Sequence, residues 1–240
     1  MLSETNQKLK KNHRSSIFVF DYDGTLTLEN GVLPESAQEA LIEVSKMENT
    51  LLGIVSGRDI TFLKQTNNKL HGVFSFLVAE NGCVTYFSNA DELTIIGREW
   101  TQKARIVFSR AAFHIRFFEI IATAQREYTE EISLLLKDFN LEAKVVPNKD
   151  SIMVCPPNVD KGVGVASAVA HYGTTSDILL TCFGDGENDI ALFGPADVSV
   201  AVANAVPQLK TIADVVTENP GGLGVEEYLR RKILPYRDRN

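Results

Sequence analysis

The stretch Ile17–Thr25, with sequence IFVFDYDGT, decides the fold, because an apolar run in it ends directly on two acidic residues. Ile17–Phe20 contains only β-branched and aromatic residues, without the polar alternation of a half-exposed strand. Such a run is typical of a strand that is buried on both faces of a parallel sheet. The acidic residues that follow it are therefore predicted to lie at the carboxyl end of a central strand.

The same strand and helix rhythm recurs on both sides of this stretch. In the first part of the chain, helices are predicted at 34–46 and 60–70, and strands at 51–55 and 76–78. After residue 160, helices are predicted at 163–172, 189–193, 206–213 and 225–233, and strands at 178–183, 198–202 and 214–217. This alternation predicts an α/β fold with a doubly wound, Rossmann-like parallel sheet.

Residues 83–157 interrupt that rhythm. Strands are predicted there at 83–87, 93–96, 104–109, 141–146 and 151–155, with one long, mostly helical stretch at 113–139. Strand pairs packed on a helix indicate a small α+β domain. The predicted organisation is a leader at 1–16, a first core half at 17–82, the inserted domain at 83–157 and a second core half at 158–240.

Composition narrows the classes of function. The chain has 240 residues, 44% of them hydrophobic, and a formal net charge of −7, which disfavours a nucleic-acid-binding protein. No apolar run approaches the roughly 18 residues of a membrane span, and the leader lacks the apolar segment of a signal peptide. Cys83, Cys155 and Cys182 are widely spaced and are predicted to be reduced thiols of the core. We therefore expect a cytoplasmic protein that binds neither nucleic acid nor membrane.

Four short motifs follow predicted strands or precede predicted helices. They are DYDGT at Asp21–Thr25, SGR at Ser56–Arg58, the single Lys161, and GDGEND at Gly184–Asp189. Ligands of open parallel sheets bind beyond the carboxyl ends of the strands, so these motifs are expected to meet at one edge. Carboxylates gathered there repel one another unless a cation lies among them, and their hard oxygen atoms favour Mg²⁺.

The residue types point to phosphoryl transfer through a carboxylate. Asp21 leaves the strand directly and is the candidate nucleophile, while Asp23 can protonate the leaving oxygen and later activate water. Lys161 supplies a positive charge beside Asp21 and the transferring group. Asp185 and Asp189 are the further candidate metal ligands.

The remaining polar groups are candidates for holding the phosphoryl oxygens. Thr25 and Ser56 offer hydroxyl groups, Gly57 permits close approach of the backbone, and Arg58 and Asn188 offer further donors. Each motif alone also has a structural explanation, such as a turn, a helix cap or a solvated charge. Their order, at matching strand ends, is much more specific than any one of them.

With these motifs the chain resembles the haloacid dehalogenase-like phosphatase superfamily. The resemblance implies Asp21 as nucleophile, Asp23 as acid and base, and Ser56 and Lys161 as the second and third motifs. It also implies Mg²⁺ held by Asp21, Asp185, Asp189 and the backbone carbonyl of Asp23. An acid at position 23 favours a phosphatase over a dehalogenase.

The position of the insertion, between the second and third motifs, resembles the cap of subclass IIB of that superfamily. This subclass includes archaeal phosphoglycolate phosphatases and sucrose- and trehalose-phosphate phosphatases. The resemblance implies a small phosphomonoester substrate, either phosphoglycolate or a sugar phosphate. In the cap, Arg110 and His114 are candidates for binding it, because they are predicted at a strand-to-helix junction where anions are favoured.

Three alternatives stay open at this point. A phosphomutase would share every catalytic residue. A catalytically inactive domain could bind Mg²⁺ and phosphate without turnover, but the presence of both Asp21 and Asp23 disfavours it. A dinucleotide-dependent dehydrogenase is disfavoured, because no GxGxxG motif follows the first strand. For the assembly, a monomer or a homodimer is expected.

Overall fold

The computed structural model describes residues 15–148, 150–174 and 177–236. It contains an eight-stranded sheet in the order β12-β11-β10-β1-β2-β3-β4-β5 and a four-stranded sheet in the order β6-β7-β9-β8. The strands are β1 Ser15–Asp21, β2 Thr50–Val55, β3 Phe76–Ala79, β4 Val84–Phe87, β5 Glu92–Ile95, β6 Arg116–Phe117, β7 Ala122–Gln125, β8 Lys144–Asn148, β9 Ser151–Cys155, β10 Ile178–Gly184, β11 Val198–Ala201 and β12 Val215–Val216. The α-helices are α1 Glu35–Ser45, α2 Ile60–Lys69, α3 Arg98–Phe108, α4 Thr129–Asp138, α5 Lys161–Ala170, α6 Ile190–Phe193, α7 Pro207–Ile212 and α8 Gly221–Tyr228.

Strand β1 lies inside the large sheet, between β10 and β2, and is parallel to both. Phe18 and Phe20 pack into the hydrophobic core on one face, and Ile17 and Val19 pack into the core on the other. Because both faces are covered, neither allows a polar residue, and this explains the uninterrupted apolar run. The predicted α/β fold with a doubly wound, mostly parallel sheet is confirmed.

Two strands that were expected in the inserted domain extend the large sheet instead. β4 pairs antiparallel with β3, with Ala79 opposite Val84, and β5 pairs antiparallel with β4. Short hairpin connections in the sequence are typical of an antiparallel domain, and this is why the two strands were assigned to the insertion. In the structure they continue the large sheet beyond β3. We therefore propose that the insertion begins after β5, and not at Cys83.

The four-stranded sheet with α3 and α4 is called the cap below. The predicted strand at 104–109 is wrong, because residues 104–108 form the second half of α3 and Ser109 follows its end. Trp100, Ala104, Val107 and Phe108 are buried in the cap core, whereas Ile106 is 64% exposed. The spacing of the buried residues is helical over this longer window, while a six-residue window shows only an apolar run.

The predicted long helix at 113–139 is also wrong. The structure divides this segment into β6, β7 and the shorter helix α4. β7 is an inner strand of the cap sheet, and it pairs antiparallel with β6 and β9. Ala122 and Ala124 favour helix by propensity, but two neighbouring strands satisfy the backbone of β7, and the side chains of both alanines fill the cap core.

The ends of the chain need one correction. Ser15 and Ser16, which were expected in the leader, belong to β1 and pair with β10. We therefore propose that the core begins at Ser15. The rest of the predicted leader, residues 1–14, lies outside the described residues.

Within the described part of the chain, no helix is both long and apolar enough to cross a membrane. The three cysteines are free and buried, as predicted.

A close backbone contact brings α5 onto the edge of the large sheet. Gly82 has φ +104, and a Cβ atom at this position would lie 2.1 Å from the carbonyl oxygen of Asp160. A Cβ atom on Gly164 would lie 2.4 Å from the Cα atom of Gly82. Only glycine fits at both positions, and this contact places Lys161, the first residue of α5, beside the end of β1.

Candidate active site

The four sequence motifs meet at the carboxyl edge of the large sheet. Asp21 is the last residue of β1, Asp185 follows β10 directly, and Lys161 begins α5. Asp189 ends the short helical turn Glu187–Asp189 that follows β10. Parallel strands with helical returns bring these positions together although they are far apart in sequence.

Lys161 links two of the carboxylates. Its Nζ atom donates to Oδ1 of Asp21 at 2.6 Å and to Oδ1 of Asp189 at 2.7 Å. Lys161 is 2% exposed, Asp21 3% and Asp189 0%, so water screens none of these charges. The lysine therefore fixes the orientation of Asp21 and offsets part of the negative charge around it.

Three carboxylates form a site that fits a divalent cation. Asp21, Asp185 and Asp189 each offer an oxygen atom, and these atoms lie within 4.8 Å of one another. With all three ionised and Lys161 protonated, the cluster has a net charge of −2. Carboxylate oxygens and this charge match Mg²⁺, whose ligands are hard oxygen atoms.

The pKa values reflect burial and crowding of the charges. Burial and the negative charge of Asp189 raise the pKa of Asp21 above its usual range, against the attraction of Lys161. The same causes raise the pKa of Asp185 to about 6. Burial alone would lower the pKa of Lys161, but the carboxylates of Asp189 and Asp21 outweigh it and raise the pKa. The site thus destabilises its own ionised carboxylates, and a bound cation would relieve this.

Backbone and hydroxyl donors orient the metal-binding carboxylates. Oδ2 of Asp189 accepts hydrogen bonds from the backbone N–H groups of Asp185, at 3.0 Å, and Gly186, at 2.9 Å. The hydroxyl of Thr25 donates to Oδ1 of Asp185 at 3.1 Å. Thr25 was predicted to bind the phosphoryl group, but in this structure it holds a candidate metal ligand.

Asn204 is a site residue that sequence reasoning missed. Its Nδ2 atom donates to the carbonyl oxygen of Gly24 at 2.9 Å and to Oδ2 of Asp185 at 3.3 Å. Its Oδ1 atom accepts from the backbone N–H of Gly221 at 2.7 Å. Asn204 follows β11, and its position after a strand of the parallel sheet was the signal that could have identified it.

Asp23 lies apart from the metal-binding cluster. Both of its carboxylate oxygens accept hydrogen bonds from Arg58, Oδ2 from Nε at 2.8 Å and Oδ1 from Nη2 at 2.6 Å. The guanidinium lies over the ring of Phe62, with Cζ 4.3 Å from its centroid. The structure therefore places Arg58 as the partner of the predicted acid and base. This hydrogen bond also raises the pKa of Arg58.

A cleft of about 1060 Å³ separates this edge from the cap. Its core wall includes Asp21, Asp23, Ser56, Gly57 and Asn188. Its cap wall includes Phe118, Thr123, Lys144, Ser151 and Met153. The predicted phosphate-binding residues Ser56, Gly57 and Asn188 therefore face the cap across a space that can hold a small organic phosphate.

The two predicted cap residues lie elsewhere. Arg110 follows the end of α3, and its guanidinium lies over the ring of Phe139, with Cζ 4.6 Å from the centroid. His114 lines a smaller cavity of about 300 Å³ together with Arg116 and Tyr128, and this cavity shares Thr123 and Ser151 with the large cleft. Both predictions assumed a strand-to-helix junction, whereas these residues lie between helix α3 and strand β6. The structure therefore brings neither residue into the large cleft.

A buried carboxylate ties the cap to the core. Glu80 is 1% exposed, and its two carboxylate oxygens accept backbone hydrogen bonds from the cap loop between β6 and β7. The donors are Glu119 at 3.0 Å, Ile120 at 2.8 Å and Ile121 at 3.0 Å. Burial raises the pKa of Glu80 although these bonds favour the ionised form.

The comparison with known families agrees with this geometry. Residues 18–105 and 107–229 match the model of a family described as haloacid dehalogenase-like hydrolase. This chain belongs to that family. The hydrolase is therefore not a dinucleotide-dependent dehydrogenase, and the predicted resemblance is confirmed.

Several curated relatives of the hydrolase span nearly its whole length. Phosphoglycolate phosphatase 2 of Saccharolobus solfataricus is 36% identical over 89% of this chain and 90% of its own length. Phosphoglycolate phosphatases of Sulfurisphaera tokodaii and Methanothermobacter thermautotrophicus are 28% and 30% identical. The chain is thus homologous to archaeal phosphoglycolate phosphatases.

Solved structures support the same fold at lower identity. Protein 0175 of Thermoplasma acidophilum superposes with a TM-score of 0.75, at 20% identity, over 91% of this chain and 98% of that chain. A subclass IIB sugar phosphatase superposes with a TM-score of 0.68, at 19% identity, over 90% and 98%. Core and cap together therefore have the same fold as these two solved structures.

Proposed function

We propose that the protein is a Mg²⁺-dependent phosphatase that hydrolyses a small phosphomonoester through an aspartyl-phosphate intermediate. One observation carries the proposal. A buried aspartate at the end of the central strand is held by a buried lysine, inside a set of three carboxylates that fits a divalent cation. A turn, a helix cap or a solvated charge would require none of this burial or convergence.

In the first step, a carboxylate oxygen of Asp21 attacks the phosphorus atom. The bond from phosphorus to the ester oxygen breaks, and this oxygen takes a proton from the carboxyl group of Asp23. Lys161 offsets charge beside Asp21, and Ser56, Gly57 and Asn188 lie where donors could contact the phosphoryl oxygens. When bound, Mg²⁺ would supply charge stabilisation to the transferring group and orient it.

In the second step, water attacks the phosphorus atom of the aspartyl phosphate. Asp23 accepts the proton of this water, the bond between phosphorus and Asp21 breaks, and inorganic phosphate leaves. The bidentate contact with Arg58 keeps the carboxylate of Asp23 at the edge of the cleft between these proton transfers.

For the substrate, the homology to phosphoglycolate phosphatases supports phosphoglycolate, and the subclass IIB fold supports a sugar phosphate. Either ester fits a cleft of about 1060 Å³. We further propose that the enzyme acts in the cytoplasm, where its three buried thiols would stay reduced. A phosphomutase would need the same residues, so the products decide between the two activities.

The test is phosphate release from an aryl phosphate, phosphoglycolate and several sugar phosphates, with Mg²⁺ or with a chelator. Asp21→Asn should lower kcat by at least about 1000-fold, or roughly 4 kcal/mol of barrier, because an amide does not form the acyl phosphate. Asp138→Asn, at the exposed end of α4, is the matched control. Metal-independent turnover, or a tenth of the activity left in Asp21→Asn, would contradict the mechanism, and an isomerised phosphate ester without free phosphate would indicate a mutase.

A further inference from the structure

The side chain of Asn81 stands out in the floor of the large cleft. Asn81 is 5% exposed, and its Oδ1 atom is buried without a hydrogen-bond partner among the described residues. The acceptors of its Nδ2 atom in the described part of the chain are both sulfur, Sδ of Met153 at 3.3 Å and Sγ of Cys155 at 3.9 Å. Thioether and thiol sulfur atoms are weak acceptors, so neither end of this amide has a strong partner.

A backbone requirement does not explain this side chain. Asn81 has φ 53, in the left-handed region that asparagine tolerates, as do Asn49, with φ 53, and Asn140, with φ 48. Those two residues are exposed, so water satisfies their amides. At position 81 glycine would meet the same backbone requirement without burying a polar group, and a buried acceptor without a hydrogen bond destabilises the fold.

The location of the Asn81 amide suggests why a polar side chain is buried at this position. A Cβ atom on Gly57 would lie 3.2 Å from Oδ1 of Asn81, so the amide is next to the candidate phosphate-binding loop. Its other end contacts Met153 and Cys155 of cap strand β9. The amide therefore lies in the cleft between the candidate phosphate-binding loop and the cap.

We propose that the Asn81 amide binds an oxygen-bearing polar group on the leaving moiety of the substrate and thereby sets substrate specificity. The amide offers an acceptor to a hydroxyl group and, after rotation about its last torsion, donors to a carboxylate. This inference rests on the proposed phosphatase function and deepens it. An apolar leaving group leaves the amide unpaired and gains nothing from it.

The test compares three substrates with matched variants. Asn81→Gly keeps the left-handed backbone and removes the amide, and Asn49→Gly makes the same change at an exposed turn. The substrates are phosphoglycolate, glycerol 3-phosphate and an aryl phosphate. We expect Asn81→Gly to lower kcat/KM at least about tenfold for one of the first two, with less than about a twofold change for the aryl phosphate and none in Asn49→Gly.

A second variant identifies the group that is bound and guards against misfolding. Asn81→Asp keeps the shape of the side chain and adds a negative charge. A loss on phosphoglycolate in both variants would identify a carboxylate, because aspartate removes the donor and repels the group. A loss on glycerol 3-phosphate in Asn81→Gly that Asn81→Asp restores would identify a hydroxyl group, because the aspartate oxygen still accepts its hydrogen bond. Equal changes on all three substrates in both variants, or no change, would overturn the role of Asn81 while the phosphatase activity of the wild type stands. A wild-type protein without Mg²⁺-dependent phosphate release would overturn both proposals.

Discussion

The charged residues of this site form two groups of ion pairs, and the two groups differ widely in burial. Lys161 and its two carboxylate partners are almost inaccessible to water, so removing one member would leave a buried charge without compensation. Arg58 and Asp23 are 43% and 41% exposed, and a pair of this kind contributes little to folding. The buried lysine and its two carboxylates therefore support both structure and chemistry, and the exposed pair of Arg58 and Asp23 is available for chemistry alone.

Replacing Arg58 should affect turnover more than stability. We expect Arg58→Ala to lower kcat about tenfold or more, because Asp23 loses the planar partner that orients both of its oxygens. The melting temperature should change little, since exposed ion pairs contribute at most about 1 kcal/mol. Arg58→Lys should restore only part of kcat, because an ammonium group does not form the bidentate contact. Full activity in Arg58→Ala would show that Asp23 needs no such partner.

Asn204 should control metal affinity without touching the substrate. Asn204→Ala removes donors from Asp185 and from the carbonyl of Gly24. Loss of such an orienting contact typically weakens metal binding about 10–100-fold. A titration with Mg²⁺, followed by the rise in melting temperature, measures this change. Asn68→Ala, at an exposed position of α2, is the control, and equal Mg²⁺ affinity in both variants would contradict the role of Asn204.

At the scale of elements, one short turn connects the core, the cap and α5. Glu80, Asn81 and Gly82 all have positive φ, at 52, 53 and 104. This backbone directs Glu80 to the cap loop, Asn81 to the cleft, and Gly82 against the first turn of α5. Because these three consecutive residues contact the cap loop, the cleft and α5, the turn fixes where the cap lies relative to the catalytic edge.

Glu80→Gln tests this connection. The amide group of glutamine would face N–H donors that now meet a carboxylate, so one or more buried donors would lose their partner. We expect the free energy of unfolding to fall by roughly 1–3 kcal/mol. Denaturant unfolding measures it, and hydrogen exchange at Ile120 and Ile121 should accelerate. Glu92→Gln, on the exposed strand β5, is the control, and if it lost as much stability as Glu80→Gln, the carboxylate would not be holding the cap.

At the scale of the whole molecule, the carboxylate cluster makes stability depend on pH and on metal. The pKa of Asp185 is about 6 in the folded protein, raised by burial and by Asp189, and about 3.9 in an unfolded chain. At a pH between these two pKa values the folded state binds the proton more tightly than the unfolded state. This group therefore lowers the free energy of unfolding as the pH rises from about 4 to 6. The pKa of Asp21 is raised as well and acts in the same direction.

Mg²⁺ should therefore stabilise the protein more at pH 7.5 than at pH 5. At the higher pH the carboxylates are ionised and repel one another, so the cation binds more tightly and relieves the repulsion. Melting temperatures with Mg²⁺ and with a chelator, at both pH values, measure the effect. An Asp185→Asn variant should lose most of the difference. A stabilisation by Mg²⁺ that is the same at both pH values would argue against a metal site at these carboxylates.

Much of the core was predictable because its signals are local. The run before Asp21 is apolar since both faces of β1 are covered, and each acidic motif directly follows such a strand. The cap was less predictable, because its residues depend on neighbours from other segments. By its own propensity the segment of Ala122 and Ala124 favours a helix, but it forms a strand between β6 and β9. Arg110 follows helix α3, where a strand was expected, and it does not line the cleft.

The sequence by itself determined the family, the α/β fold and the carboxylates of the candidate site, because these depend on short motifs at the ends of buried strands. Only the tertiary structure decided that β4 and β5 extend the large sheet, that Arg58 pairs with Asp23, and that Asn204 orients Asp185. It also decided that the amide of Asn81 is buried in the floor of the cleft. The physical reason is that hydrogen bonds and burial between distant segments follow from how the chain packs, and no local pattern encodes them.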